Sequence, residues 1–378
     1  MSNFDNESLD RARKLAGRWI EEDVCSAIVV AVGSSQDDPE VFALGHQDVA
    51  RKAPIQEDTI FLIASPTKPL TAIAVMQLVE QGEFLLEDPI AKFIPEFAQA
   101  GKSAITIGHC LTHTSGLPDM LPDNVELRQR HAQLDEFAQQ VCGVTPLFAP
   151  GTRVRYQSTG LLMLAQIVER ITGQTLQAVL RERVFEPLTM RDTSLGMPSD
   201  WESASDSEVA RMDRIAESRV KPEQNTEWGW NSLYWRRLGA PWGGLLASAP
   251  DWARLCRHLL RIHRGQCDGI VSPATQRAMT RNQLHTMSEI PEVNRRCTPW
   301  GYGWQPNWSN HSRTFGNLLM PGTYGHWGAT GTLIWIDPGR DAYAVVLTTE
   351  PMEDHRRRLA NMSNALASAL RFQGSRDA

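Results

Sequence analysis

The feature that most constrains this chain is a strand pair at each of its ends. Near the start, the apolar runs CSAIVVAV and VFALG are parted by the polar turn GSSQDDPE. Near the end, GTLIWI and AYAVVLTT are joined by the turn residues of DPGRD. We expect these strands to share one antiparallel sheet, with an amphipathic helix from about Glu7 to Glu22 before the first pair and another from about Asp354 to Phe372 after the last. Between the pairs, helical periodicity dominates: Leu70 to Gln81, ITIGHCLTH, Leu134 to Cys142, Gly160 to Thr172 and a short helix around Leu176 to Val184. Residues 199–226 are polar and charged and read as a surface excursion. The fold class is therefore α/β of the α+β kind: an antiparallel sheet flanked by N- and C-terminal helices, with an inserted all-helical lobe. One domain spans 1–378, with an α/β lobe at about 1–64 and 230–378 and the helical lobe at about 65–229.

Composition narrows the function classes. A net charge of -6 lacks the basic excess that binding a phosphate backbone needs, so nucleic acid is excluded as a partner. No run of eighteen apolar residues occurs, and the polar start MSNFDNESLDRARKLAGRW reads as neither secretory signal nor membrane anchor. Cys25, Cys110, Cys142, Cys256, Cys267 and Cys297 show no CxxC pair and no metal-like spacing, which suits reduced thiols and a cytoplasmic location. Six of the 38 basic residues are lysine, so a lysine inside a motif carries more information than usual.

S-x-x-K occurs twice, as SPTK at Ser65–Lys68 and SRVK at Ser218–Lys221, and context separates the two. Ser65 follows the apolar run IFLIA and opens PTKPLTAIAVMQLVEQG, where Pro66 suits a first helical turn and Gly82 a stop. Apolar residues cover nearly every face of that helix, which should therefore be buried. Three residues of helical spacing set the Lys68 amine beside the Ser65 hydroxyl. A serine hydroxyl is a weak nucleophile until a base takes its proton, and burial together with the helix N-terminus lowers a lysine toward that task. Ser218 lies in a charged loop and has none of this. The structural alternative for Ser65 is a helix N-cap.

Two further elements favour catalysis. Tyr156 and Ser158, in PGTRVRYQSTG, form the only Tyr-x-Ser or Tyr-x-Asn pair, and a tyrosine beside cations ionises more readily than a free one. In GHWGATGTLIWI, His326, Trp327 and Gly328 lead into the last hairpin, small residues let backbone approach substrate, and the N–H after Gly328 can face a developing oxyanion. The other His-x-Gly, at His263 to Gly265, ends a helical segment and has no strand after it.

In order and wording, SPTK, TIGHCLTHTSGLPD, PGTRVRYQSTG, VFEPLTMRDTSL, GGLLASAPDWARL, GYGW and GHWGATGT resemble the β-lactamase-like serine hydrolases from about residue 15 to 370. That family includes class C β-lactamases, penicillin-binding proteins, family VIII carboxylesterases and D-amino-acid peptidases. The resemblance implies a β-lactamase/transpeptidase-like fold with Ser65 acylated, Lys68 and Tyr156 sharing the proton transfers, and His326, Trp327 and Gly328 in place of a Lys-Thr-Gly strand. It also implies an oxyanion hole from the backbone amides of Ser65 and Ala329.

Two departures bear on substrate. Ser158 stands where Tyr-x-Asn has an amide, and offers one rotatable donor in its place. His326, largely neutral at pH 7, stands where Lys-Thr-Gly has a fixed cation. Both weaken recognition of a β-lactam, so the expected activity is ester hydrolysis on a small-molecule ester or amide substrate, without metal or organic cofactor. The alternatives are a β-lactamase or D-amino-acid peptidase, and a catalytically silent binding protein. Trp228, Trp230, Trp235, Trp242, Trp300, Trp304, Trp308 and Trp327 concentrate near the motifs, and some are expected to line a pocket. The pair His109 and His113 lacks the glutamate of H-E-x-x-H, and GKS at Gly101–Ser103 lacks the first glycine of a P-loop.

Overall fold

The computed structural model describes residues 3–50, 52–203, 209–266, 269–307, 315–352 and 357–371. Trp308 and Cys267, and the outermost residues of the expected C-terminal helix, lie outside them. Helix α1 (Asn6–Glu21) leads into β1 (Ala27–Gly33) and β2 (Glu40–Gly45), and β3 (Ile60–Leu62) precedes helix α2 (Thr67–Glu80). Helices α3 (Ile107–Leu111), α4 (Leu134–Gly143), α5 (Thr159–Thr172) and α6 (Leu176–Leu180) follow. Strands β4 (Thr193–Leu195) and β5 (Leu245–Ser248) precede helix α7 (Ala249–His263). The chain closes with β6 (Gln305–Pro306), β7 (Tyr324–Gly328), β8 (Thr332–Asp337), β9 (Ala342–Thr348) and helix α8 (Arg357–Ser368).

The main sheet has the order β2-β1-β9-β8-β7-β6, all antiparallel, so the two ends of the chain meet where β1 pairs with β9. Val30 lies opposite Val346 in that pairing, and both flanking hairpins keep short connections. Strand β1 is buried along its whole length because both faces are covered. Ile28, Val30 and Val32 turn toward a core shared with Leu9, Ala12 and Ala16 of α1 and Leu359, Met362 and Leu366 of α8. Val29 and Ala31 turn the other way, toward Trp252, Leu255 and Leu259 of α7 and the core that continues into the helical lobe. Each buried Leu or Val on these faces contributes about 1.5–3 kcal/mol.

The insertion is not purely helical. Strand β4 pairs with β5, which also pairs with β3, and this second sheet of order β3-β5-β4 joins the two lobes. Three-residue strands fall below the length at which alternation can be read from sequence. Part of the segment expected as a surface excursion is also interior. Ile215 and Ala216 are buried, the Ala216 N–H donates to the Ile60 carbonyl at 2.8 Å, and Arg219 N–H donates to Thr349 at 2.6 Å. Its described charged residues face outward or pair, as Arg219 does with Asp23 and Glu350, which hid the buried pair from a composition-based reading.

Candidate active site

Ser65 occupies the turn between β3 and α2, half-buried, with Pro66 as the N-cap residue of the helix. No side chain caps that helix end, so Ser65 does not serve as the N-cap. Ala64, just before it, has φ of 55°, a left-handed conformation that costs a non-glycine residue about 1–3 kcal/mol. Thr67 holds the strained turn, its hydroxyl and its N–H both donating to the Ala64 carbonyl at 2.6 and 3.0 Å.

Helix α2 is apolar on all sides and buried from Thr67 to Leu78, which carries Lys68 into the interior at 1% exposure. Its ammonium donates to Ser65 Oγ at 3.2 Å and to the Trp242 carbonyl at 2.9 Å, and stands 4.6 Å from the centre of the Tyr156 ring. Burial lowers Lys68 from its ordinary 10.5 to about 7, and the negative charge of Asp119 opposes that fall. The three-residue spacing and the helix thus deliver an amine that is half neutral near physiological pH, in hydrogen-bond reach of the serine.

Tyr156 lies at the centre of a ring cluster. His113, Trp300, Trp327 and His326 surround it with centroids 4.6, 5.7, 5.9 and 6.1 Å away. His326 is fully buried on β7, and its Nδ1 stands 2.9 Å from both the N–H and the carbonyl of Trp327. Gly328 ends the same strand where it meets the Ser65 turn. A Cβ at 328 would overlap the Ile63 carbonyl oxygen and stand 3.1 Å from Pro66 Cδ, so only glycine permits the approach. Thr330 and Thr332 fasten the contact, their hydroxyls donating to the Leu62 and Ile63 carbonyls at 2.7 Å. Ala329 follows on the turn after β7, and its carbonyl accepts from the Met352 N–H at 2.9 Å. Of the eight residues singled out in the sequence, contacts join Ser65, Lys68, Tyr156, His326 and Trp327, Gly328 abuts the Ser65 turn, Ala329 follows Gly328, and Ser158 pairs elsewhere.

Ser158 has a partner that spacing does not announce. Its hydroxyl donates to Asp119 Oδ1 at 2.7 Å and its N–H to the Asp119 carbonyl at 3.2 Å. Asp119 is the last residue of TSGLPD, 39 positions away. His113 was also out of reach of the sequence as a neighbour of Tyr156. It has a left-handed φ of 59° beyond the end of α3, accepts from the Gln157 N–H at 3.2 Å, and is held well below the usual histidine range by burial and by Lys68 and His326. His109 meanwhile accepts from the Thr106 N–H through Nδ1, closing the α3 cap, so the two histidines of HCLTH have separate partners.

The decoy motifs resolve as structure. Ser218 is fastened by Asn231 through two backbone bonds, and Lys221 precedes a short 3-10 turn. His263 ends α7. Lys102 of GKS donates to the Gln99, Cys142 and Val144 carbonyls at 2.8, 2.8 and 2.7 Å and so finishes α4. Trp228 and Trp235 sandwich Arg128, Trp230 packs on the core and Trp304 packs edge-on against Tyr324. Trp300, Trp327 and the carbonyl of Trp242 reach the site.

The family model described as Beta-lactamase matches residues 18–369. This chain belongs to the beta-lactamase family. Within that family, esterase EstB of Burkholderia gladioli is 39% identical over 167 residues, 40% of this chain and 42% of the esterase. Penicillin-binding protein 4 of Amycolatopsis lactamdurans is 32% identical over 303 residues, 78% of this chain and 73% of that protein. The fold matches the crystal structure of a penicillin-binding protein homologue from Caulobacter crescentus with a TM-score of 0.76 and 23% identity, covering 96% of this chain and 98% of that one. The beta-lactamase family is one of hydrolases whose named members here include esterases and penicillin-binding proteins, and the expected fold and family are those found. No helix among the described residues is long and apolar enough to cross a membrane.

Proposed function

We propose that the protein is a serine hydrolase that forms an acyl-enzyme on Ser65, acting on small esters. The observation that carries the reading is Lys68, buried, without an ion pair among the described residues and lowered to about 7, 3.2 Å from the Ser65 hydroxyl. Lys68 takes the Ser65 proton as Oγ attacks the ester carbonyl. The backbone N–H groups of Ser65 and Ala329 receive the oxyanion, and the alcohol leaves with a proton relayed through Lys68 and Tyr156. Water then attacks the acyl-enzyme by the same route in reverse and frees Ser65.

Ester preference over lactam or peptide rests on two features. His326, in the strand triplet, is buried among rings, and a histidine in place of a lysine there offers a substrate carboxylate no permanent charge. The Ser158 hydroxyl is already donated to Asp119, so it gives no hydrogen to a substrate amide carbonyl. Action in the cytoplasm on a small molecule, with neither nucleic acid nor membrane as partner and without metal or organic cofactor, completes the proposal. The buried free thiols of Cys25, Cys110, Cys142 and Cys256 support a reducing compartment.

The test is the intact mass of wild type and Ser65→Ala after brief incubation with p-nitrophenyl acetate, beside p-nitrophenol release and turnover of a chromogenic cephalosporin. An acetyl adduct that requires Ser65, with ester turnover far above cephalosporin turnover, is expected. The reverse ranking of substrates replaces the esterase by a β-lactamase. Absence of any adduct in wild type leaves a binding protein.

A further inference from the structure

Lys68 has few charged or titratable neighbours. Facing it from the surrounding elements are the Ser65 hydroxyl on its own turn, the Tyr156 ring, His113 from the loop after α3, His326 from β7 beyond Tyr156, and Asp119. Asp119 is the acid among them. It makes no ion pair with Lys68 among the described residues, but with Ser158 it lines one small cavity beside Trp242, whose carbonyl accepts from Lys68, and a latch of three hydrogen bonds fixes it there. Ser158 donates to it through Oγ at 2.7 Å and through its N–H at 3.2 Å, and the hydroxyl of Thr159 donates to the carbonyl of Pro118 at 2.6 Å. The latch ties the loop carrying Asp119 to the first residues of α5, directly behind Tyr156.

A carboxylate accepts only, and a serine hydroxyl has one hydrogen. With that hydrogen committed to Asp119, the lone pairs of Ser158 are what the hydroxyl offers to any other neighbour. We propose that Asp119 is a positioning residue of this site: it fixes Ser158 as a hydrogen-bond acceptor and stands as the counter-charge to the buried ammonium of Lys68. This rests on the acyl-transfer reading above and deepens it, assigning to the last residue of TSGLPD, which has no role on sequence alone, the task of keeping Lys68 from losing its proton too readily. Without that charge, burial alone acts on the amine. Lys68 then stays neutral at lower pH and becomes a weaker base where it is used.

The test uses a fluorophosphonate, because its reaction reads the activation of Ser65 without requiring that any ester be a substrate. The Ser65 oxygen bonds to phosphorus, fluoride leaves, and the serine proton passes to Lys68. The second-order inactivation rate rises with pH as Lys68 becomes neutral, and the midpoint of that rise is the readout. Asp119→Asn keeps an acceptor for Ser158 and removes the charge, so its midpoint should fall by about one unit. Asp119→Ser, a smaller way to remove the charge, should shift the same way, which keeps the test standing if one variant folds poorly. Asp119→Glu should return the midpoint toward wild type. Ser158→Ala, which keeps the charge, should lower the rate without that full shift. A midpoint unchanged in both neutral variants overturns the proposal, even if melting temperature or rate falls. Failure of wild type to form any Ser65 adduct overturns the acyl-transfer reading itself, a result distinct from the first.

Discussion

Two lysines are buried in this protein, Lys68 at 1% exposure and Lys102 at 0%, and they have opposite surroundings. Lys102 is saturated, its three hydrogens given to the Gln99, Cys142 and Val144 carbonyls. Lys68 gives one hydrogen to a carbonyl and one to a serine hydroxyl, and faces an aromatic ring. Burial lowers both, but of the two Lys68 alone donates to a hydroxyl, that of Ser65, whose proton it can take. A buried amine surrounded by carbonyls closes a helix. A buried amine left with a hydroxyl is placed for proton transfer, and the protein accepts its desolvation in exchange for reactivity.

Exchanging each amine for a methionine breaks the comparison most sharply. Lys68→Met should reduce ester kcat/KM by roughly 10³-fold while leaving the protein at least as stable, by about 1 kcal/mol in thermal melts, since a desolvated amine is removed. Gly328→Ala comes next. The added Cβ pushes β7 away from the Ser65 turn and should cost roughly 10²-fold in kcat/KM, read beside an unchanged melting transition for the distant Lys102 region by hydrogen exchange. Lys102→Met should do the reverse of Lys68→Met. It leaves carbonyls unsatisfied, lowers stability by about 2 kcal/mol in urea titration, and leaves kcat/KM of the folded enzyme nearly unchanged.

The pH dependence of stability tests the same contrast. The folded state holds Lys68 at about 7 against an ordinary 10.5, so between those values the unfolded chain binds more protons. Stability contributed by this site therefore rises from pH 7 toward 10.5, and the penalty is fully present below 7. Measured as a difference between wild type and Lys68→Met, the stability gap should narrow as pH is raised across that window. A constant gap would mean that Lys68 keeps its ordinary proton affinity in the fold.

Much of this arrangement was legible in sequence because it rests on periodic or local signals. The strand pairs at both ends, the all-round apolar helix after Ser65, and the one-turn spacing of Ser65 and Lys68 each depend on residues close in the chain. Gly328 was legible as a small residue, though only the packing shows which atoms it clears, the Ile63 carbonyl and the Pro66 ring. What stayed hidden depends on backbone or on distance. The Trp242 carbonyl that receives Lys68 leaves no mark on side-chain identity, and the left-handed turn at Ala64 breaks the usual preference for glycine. Asp119 meets Ser158 only through tertiary packing, and β4 is too short to show alternation.

The state of Lys68 can be read directly, since the chain has six lysines in all. Titration of the side-chain Nζ and Cε resonances of lysine-labelled protein by NMR, in wild type and Lys68→Met, tests the central claim. The account predicts one lysine titrating near 7, absent from the variant. Six lysines all titrating near their ordinary value would contradict it, and with it the assignment of Lys68 as the base that activates Ser65.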